Sequence, residues 1–333
     1  MRFRLPLVLL AALTACFFRA DDGLAQQASV QATAITAFRP GTDETRFGRL
    51  EFVGGLELSS SEPLFGAWSA IRFLSDGQHF LGVLDTGHWL TGRITRDGQG
   101  RLSGLSEVMI ASMLDADGGG DQSKYLVDAE SLAIRGEDVL VGYEQRHRVS
   151  GYRPLSAIET ARPFRMSLPL PFPVSELRSN GGLETLAIAP ETSPLDGGLV
   201  AIAEKSVDGR GNLFAGILDG PMAGAFGVRR HDGFDVTDGA FLPNGDLLLL
   251  ERRFTFASGV GLRIRRIDGA SLKPGAVVDG AVILEAGMSE EIDNMEGLDV
   301  TTAPDGSTHV ILVSDDNHSI LQRSLMLEFR LVD

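Results

Sequence analysis

Glu184-Thr185-Leu186-Ala187-Ile188 and the run Leu199-Val200-Ala201-Ile202-Ala203-Glu204 that follows it after a turn decide the fold. An acidic residue leads into a short apolar strand, the chain turns, and a second apolar strand ends on a carboxylate. Clear further copies start at Glu130-Ser131-Leu132-Ala133-Ile134 and Glu296-Gly297-Leu298-Asp299-Val300, and looser ones at Asp238-Gly239-Ala240-Phe241-Leu242 and Ser69-Ala70-Ile71-Arg72-Phe73. The matching second strands run Phe80 to Asp85, Val139 to Glu144, Leu199 to Glu204, Leu247 to Glu251 and Val310 to Asp315. Leading positions 69, 130, 184, 238 and 296 are 61, 54, 54 and 58 residues apart. That period suits one four-stranded sheet per repeat, and hence an all-β fold of the β-propeller type with five blades. Six blades would require a degenerate copy in 152–180 or 212–236.

Turn chemistry agrees with the strand pairs. Ser75-Asp76-Gly77, Pro243-Asn244-Gly245 and Pro304-Asp305-Gly306 fall between the two strands of a repeat, where a residue tolerant of positive φ is wanted. From Gly48 to Ser59, apolar residues on either side of Gly54-Gly55 predict a strand with a bulge, and Leu325, Leu327, Phe329 and Leu331 share one face of the last strand. Pairing these two ends would close the ring and remove two exposed edges. Hydrophobic content of 43% is enough to fill the spaces between blades, and forty glycines with fourteen prolines suit a chain that turns often.

Composition excludes several function classes. With 45 acidic against 30 basic residues the net charge is −15, which disfavours nucleic acid and anionic membrane surfaces and favours cations as guests. Only three of the bases are lysine, a skew spread over the whole chain. Arg2 and Arg4 ahead of the apolar run Leu5 to Phe18 form an export signal too short for a lasting membrane span. Gly23-Leu24-Ala25 suits cleavage before Gln26, whereas Leu13-Thr14-Ala15-Cys16 resembles a lipoprotein box that would anchor the chain through Cys16. Either processing leaves the folded domain without a thiol, so disulfides and cysteine chemistry are excluded. The expected organisation is a signal peptide over 1–25, a leader over 26–47 and one propeller domain over 48–333, with a monomer working in the periplasm or outside the cell.

The repeat places its acids where they meet. Propellers line their channel with the first strand of every blade, so Glu130, Glu184, Asp238 and Glu296 are expected to converge. Like charges so placed must protonate, pair with bases or hold a metal ion. Second-strand acids Asp85, Glu144, Glu204, Glu251 and Asp315, with Asp316, form another set followed by His88, Arg146, His147, Lys205, Arg252, Arg253 and His318. A functional reading has carboxylates holding a divalent cation, arginines or lysine gripping an anionic substrate, and His318 as acid, base or ligand. The plainer reading has each acid pair with a neighbouring blade's base and lock the ring. The acidic loop Asp115 to Asp121 has oxygen ligands at odd spacings but lacks the late glutamate of an EF-hand. No histidine pair has zinc-site spacing, and neither a nucleotide-binding glycine loop nor a Gly-x-Ser-x-Gly elbow is present.

The stretches Phe47-Gly48-Arg49-Leu50, Gly54-Gly55-Leu56, Asp85-Thr86-Gly87, Asn180-Gly181-Gly182-Leu183-Glu184, Leu249-Leu250-Glu251-Arg252-Arg253, Asn294-Met295-Glu296-Gly297-Leu298 and Ser314-Asp315-Asp316-Asn317 together resemble the family labelled esterase-like activity of phytase, a group of exported bacterial propeller proteins. The resemblance implies a phytase-like propeller and a phosphoesterase or esterase activity. Under it, Glu184, Glu204, Glu251, Glu296, Asp315 and Asp316 would hold a divalent cation, Ca2+ in the first instance, and Arg252, Arg253 and Lys205 would neutralise a phosphate. Motifs of the calcium-dependent propeller phytases are missing, which counts against phytate itself. Lactone or carboxyl-ester hydrolysis is the neighbouring expectation. A non-catalytic propeller that binds a small ligand or envelope partner around a structural Ca2+ is the alternative from another class.

Overall fold

The computed structural model describes residues 25–120 and 123–332. The export signal with Cys16, and Asp121 of the acidic loop, lie outside the described residues. Five separate sheets stand in a ring, antiparallel but for Val277–Val278, which pairs in parallel with Gly224–Arg229. Blade 1 comprises Trp68–Phe73, His79–Leu84, His88–Arg96 and Leu102–Ser112; blade 2 Ala129–Arg135, Asp138–Tyr143, Arg148–Arg153 and Arg162–Phe164. Blade 3 comprises Leu183–Ile188, Leu199–Val207, Asn212–Ile217 and Gly224–Arg229; blade 4 Asp235–Phe241, Leu247–Thr255, Gly259–Ile267 and Ala281–Ala286. Blade 5 runs Met295–Thr302, Thr308–Ser314 and Ser324–Leu331 and is completed by Leu50–Ser60. The first strand of each blade is innermost and neighbours its counterparts around the axis. The count is five, as the repeat predicts, and the six-blade alternative does not form among the described residues: 152–180 contributes the end of Arg148–Arg153, Arg162–Phe164 and two 3-10 turns, and 212–236 supplies the outer strands of blade 3.

Two buried faces per strand explain the near-continuous apolar runs. In Leu247–Thr255, Leu248 and Leu250 pack toward blade 5 while Leu247 and Leu249 pack toward blade 3. The same alternation recurs at every junction, so the core is five apolar slabs between blades rather than one centre. Leu50–Ser60 pairs with Ser324–Leu331, with a register shift at Glu328/Phe329 opposite Gly54, as the Gly54-Gly55 reading anticipated.

The leader is more than a leader. Val30–Ile35 adds a further strand outside Leu50–Ser60, and Gln26–Gln27 pairs with the outer strand of blade 1, so 26–35 straddles the junction of first and last blades. Its alternation of Val30, Ala32 and Ala34 among polar residues is weak because an edge strand buries one face only. No helix among the described residues is long and apolar enough to cross a membrane.

The channel is plugged near its middle. Arg72 of blade 1 reaches across it: Nη1 and Nη2 each donate at 2.8 Å to Asp238 of blade 4, Nη1 also at 2.8 Å to Leu298 O of blade 5, and Nη2 at 2.8 Å to Leu186 O of blade 3. Asp238 also accepts from Leu298 N at 2.9 Å and Gly239 N at 2.7 Å. Both partners are buried, and the pair ties four blades together.

Candidate functional site

One mouth of the channel opens into a cavity of about 780 Å³ whose floor is carboxylate. Five β-bulges build it. Opposite the second strand, Ser69, Glu130, Glu184, Thr237 and Glu296 are each the extra residue of their inner strand. A bulge bends the strand and re-aims that one side chain. The repeat therefore puts its chemistry at the point where pairing is broken, and Ser69, Glu130, Glu184 and Glu296 line the cavity. Second-strand residues Asp85, Glu144, Glu204 and Asp315 follow the last paired position, Arg252 holds the equivalent place in blade 4 while still paired with Asp235, and the five surround this inner set.

Blade 4 is thus one residue out of step with the sequence repeat. Asp238 does not sit at the ring position that Glu130, Glu184 and Glu296 hold; Thr237 does, and Asp238 lies below the floor with Arg72. Glu251 likewise pairs with Val236 and turns into blade 4, where Arg263 Nε donates to it at 2.6 Å and Arg265 Nε at 2.9 Å. Its place at the mouth is taken by Arg252. The ring is four acids and one arginine, not five acids.

Arg252 stands between two blades' carboxylates. Its Nε is 3.0 Å from Glu296 Oε1 and its Nη2 3.7 Å from Glu204 Oε1, and Glu296 above all holds it more firmly protonated than an ordinary arginine. Arg253 also lines the cavity and lies 4.5 Å from the Phe234 ring centre. Lys205 Nζ is 2.9 Å from Glu204 Oε2 and donates to Asn180 Oδ1 at 3.2 Å. Lys124 pairs with Asp85 and lies 3.7 Å from Asp128 Oδ1. Arg146 is exposed and outside the cavity lining, as is His318, whose N–H donates to Asp316 Oδ1 at 3.0 Å. Asp316 turns away to accept from Ala67 N at 3.1 Å and Ser324 Oγ at 2.8 Å, joining blade 5 to blade 1.

Asp128 is a site residue the repeat did not flag. It precedes Glu130 by two and is buried in the floor with Oδ1 lacking a hydrogen bond, as does Asp85 Oδ1. Oxygens of Asp128, Glu130 and Glu144 lie within 4.8 Å of one another, and so do those of Glu144, Glu184 and Glu204. Glu144 belongs to both triads and is held by the backbone N–H groups of Gly181 and Gly182, the latter at 3.2 Å. Gly181 has φ +119°, and an added Cβ would stand 2.7 Å from Glu204 Oε2. Gly181→Ala is therefore expected to cost about 1–3 kcal/mol of stability, readable by thermal melts.

Burial and mutual repulsion raise the affinity of this floor for protons. Glu130 and Glu184 are pushed well above the ordinary range, first by burial and then by neighbouring carboxylates. Burial also raises Glu144, against the Gly181 and Gly182 N–H groups. Glu296 reaches about 7 through burial, opposed by Arg252, and Asp315 about 7 through burial with Asp85 and Asp316 nearby. An all-oxygen donor set with buried oxygens that lack a hydrogen bond fits a hard cation such as Ca2+ and not a soft or imidazole-seeking one. Asp115 of the acidic loop is by contrast spent on its own turn, accepting from Asp117 N at 2.9 Å and Gly119 N at 2.8 Å.

No curated protein matches the chain. Among solved structures, one titled "Structure of U3-55K" aligns with 79% of this chain and 95% of its own at 8% identity and a TM-score of 0.39, too slight a likeness to carry an argument. The family described as "Phytase-like: Esterase-like activity of phytase" matches residues 63–318, which takes in all five inner strands and every carboxylate of the floor. With that match over most of its length, this five-bladed chain belongs to the phytase-like family.

Proposed function

We propose that the carboxylate mouth is the site of a cation-assisted ester hydrolase, with phosphate monoesters as the first substrate class and lactones or carboxyl esters as the second. The observation that carries this reading is the pair of carboxylate triads sharing Glu144, set against Arg252 at the one place where the ring of acids is broken. Asp128, Glu130, Glu144, Glu184 and Glu204 would hold the cation. When bound, a divalent ion polarises a phosphoryl or carbonyl oxygen and makes water a better nucleophile. Arg252 and Arg253 neutralise the anionic group and orient it over the floor. Glu296 and Asp315 titrate at about 7, where a carboxyl group can accept a proton from water and return one to a leaving alkoxide. A site outside the cytoplasm and a monomeric working form belong to the same proposal, the first supported by the signal-like run Leu5 to Phe18 behind Arg2 and Arg4.

Hydrolysis of p-nitrophenyl phosphate and p-nitrophenyl acetate, measured in Ca2+ and in chelator, tests the reading. Activity is expected only with the cation, and Glu184→Gln or Glu296→Gln should lower kcat by about 10²–10⁴. A calcium-induced rise in melting temperature with no turnover of either ester would instead make the cavity a binding site.

A further inference from the structure

Carboxylates and arginines account for the floor of the cavity, but blades 4 and 5 add a group of apolar side chains above it, beside the polar Asn294, Asn317 and Gln322. Phe254, Val260, Met288, Ile292 and Leu321 all line the cavity. Phe254 is 62%, Met288 71% and Leu321 87% exposed, values that would be wasteful for side chains whose only role was packing. Phe256 meets Phe254 edge to face at 5.7 Å, extending the surface outward along the Leu247–Thr255 and Gly259–Ile267 hairpin. Met288 lies against Gly259 of the same hairpin, where an added Cβ would stand 2.7 Å from its side chain. These side chains form an apolar wall above the acidic floor, with Arg252 and Arg253 directly preceding Phe254 in the strand.

We propose that the substrate of this site is an amphiphile: an ester whose anionic head lies at Arg252 over the carboxylate floor and whose alkyl or aryl group lies along the Phe254 to Leu321 wall. The inference rests on the hydrolytic reading of the floor and narrows it. A polyanion charged on all sides would place charge against this wall and leave its apolar surface unused. A single anionic head with a tail matches both surfaces at once, because Arg252 and Arg253 adjoin Phe254 while Arg323, the third arginine of the lining, is paired with Glu291 at 2.6 Å. Net charge of −15 over the chain makes a small amphiphile a better partner for this mouth than an anionic lipid surface.

Calorimetric titration with n-alkylphosphonates from ethyl to octyl, in excess Ca2+, reads the wall without requiring turnover. Affinity of the unaltered protein should rise about three- to fourfold for each added methylene over the first several carbons. In Phe254→Ser/Met288→Ser, whose altered side chains are exposed and leave the core intact, the gain should fall below about 1.5-fold per methylene. A flat series in the unaltered protein, no binding of any member, or a slope retained by the double variant overturns the proposal. Loss of co-sedimentation with phosphatidylcholine vesicles on double substitution, together with a flat series, also overturns it and makes the wall a membrane-docking face. Chain-length-dependent binding without hydrolysis of p-nitrophenyl phosphate or p-nitrophenyl acetate would retire the hydrolase and leave the amphiphile site standing; hydrolysis with a flat series would do the reverse.

Discussion

Asp238→Ala is expected to lower the unfolding free energy by about 3–5 kcal/mol, the largest effect of any single substitution considered for this chain. The loss comes from what remains. Arg72 is buried and cannot give up its proton, so without Asp238 its charge would stand at the centre of the ring with carbonyl hydrogen-bond partners and the nearby Asp299, itself pushed up to about 6 by burial. Leu298 N and Gly239 N would lose their acceptor in the same step. Urea denaturation should show the shift in midpoint, and Arg72→Met/Asp238→Leu should recover a large part of it, since an apolar pair leaves no orphan charge. A cost below about 1 kcal/mol for Asp238→Ala would mean that water reaches Arg72 and that the plug does not tie the blades together.

Stability should fall as pH rises from 5 to 8 in chelator, and saturating Ca2+ should reverse that trend. In the folded chain Glu296 and Asp315 hold protons up to about 7, whereas in the unfolded chain they release them near 4. The folded state therefore carries more bound protons across this window, and raising pH destabilises it until the folded values are passed. Taken at face value the two groups are worth on the order of 5 kcal/mol, and the raised Glu130, Glu184 and Glu144 act in the same direction. Loop acids such as Asp76 and Asp97, held low by hydrogen bonds, act in the opposite sense but only below pH 5. On the proposed reading Ca2+ would bind the ionised carboxylates, so its stabilisation would grow with pH and reach about 2.7 kcal/mol at a hundredfold excess over Kd. Differential scanning calorimetry at pH 5, 6, 7 and 8 reads both trends. Glu296→Gln should flatten the chelator series, and equal melting temperatures across it would show that the floor is already paired or hydrated.

Much of this was legible before any coordinates. The interval between repeats gave the blade, the turn residues gave the inner hairpins, and the apolar faces of 48–59 and 325–331 gave the closure. Glu130, Glu184 and Glu296 were read to the right place because each leads a strand whose pattern is strong. Blade 4 was misread by one residue at both strands, for a single reason. Matching acid to acid aligns Asp238 with Glu184 and Glu251 with Glu204, yet side chains alternate with a period of two, so a slip of one residue sends a carboxylate into the blade or below the floor instead of into the mouth. The clue lay in Arg263 and Arg265, two arginines in the next strand whose charges need a buried partner. Asp128 was missed because it belongs to one blade only and no repeat marks it.

The sequence by itself determined the architecture: strand length, turn chemistry and apolar faces are local properties, and their period counts the blades. It also determined that acids would crowd the axis. Tertiary structure alone decided which acids share the mouth, that Arg252 replaces one of them, and that an apolar wall stands beside them. Those outcomes depend on where a bulge breaks each ladder and on which side chains from distant blades fill the space between them. Burial and repulsion among such neighbours act across the ring, and no stretch of chain records them locally.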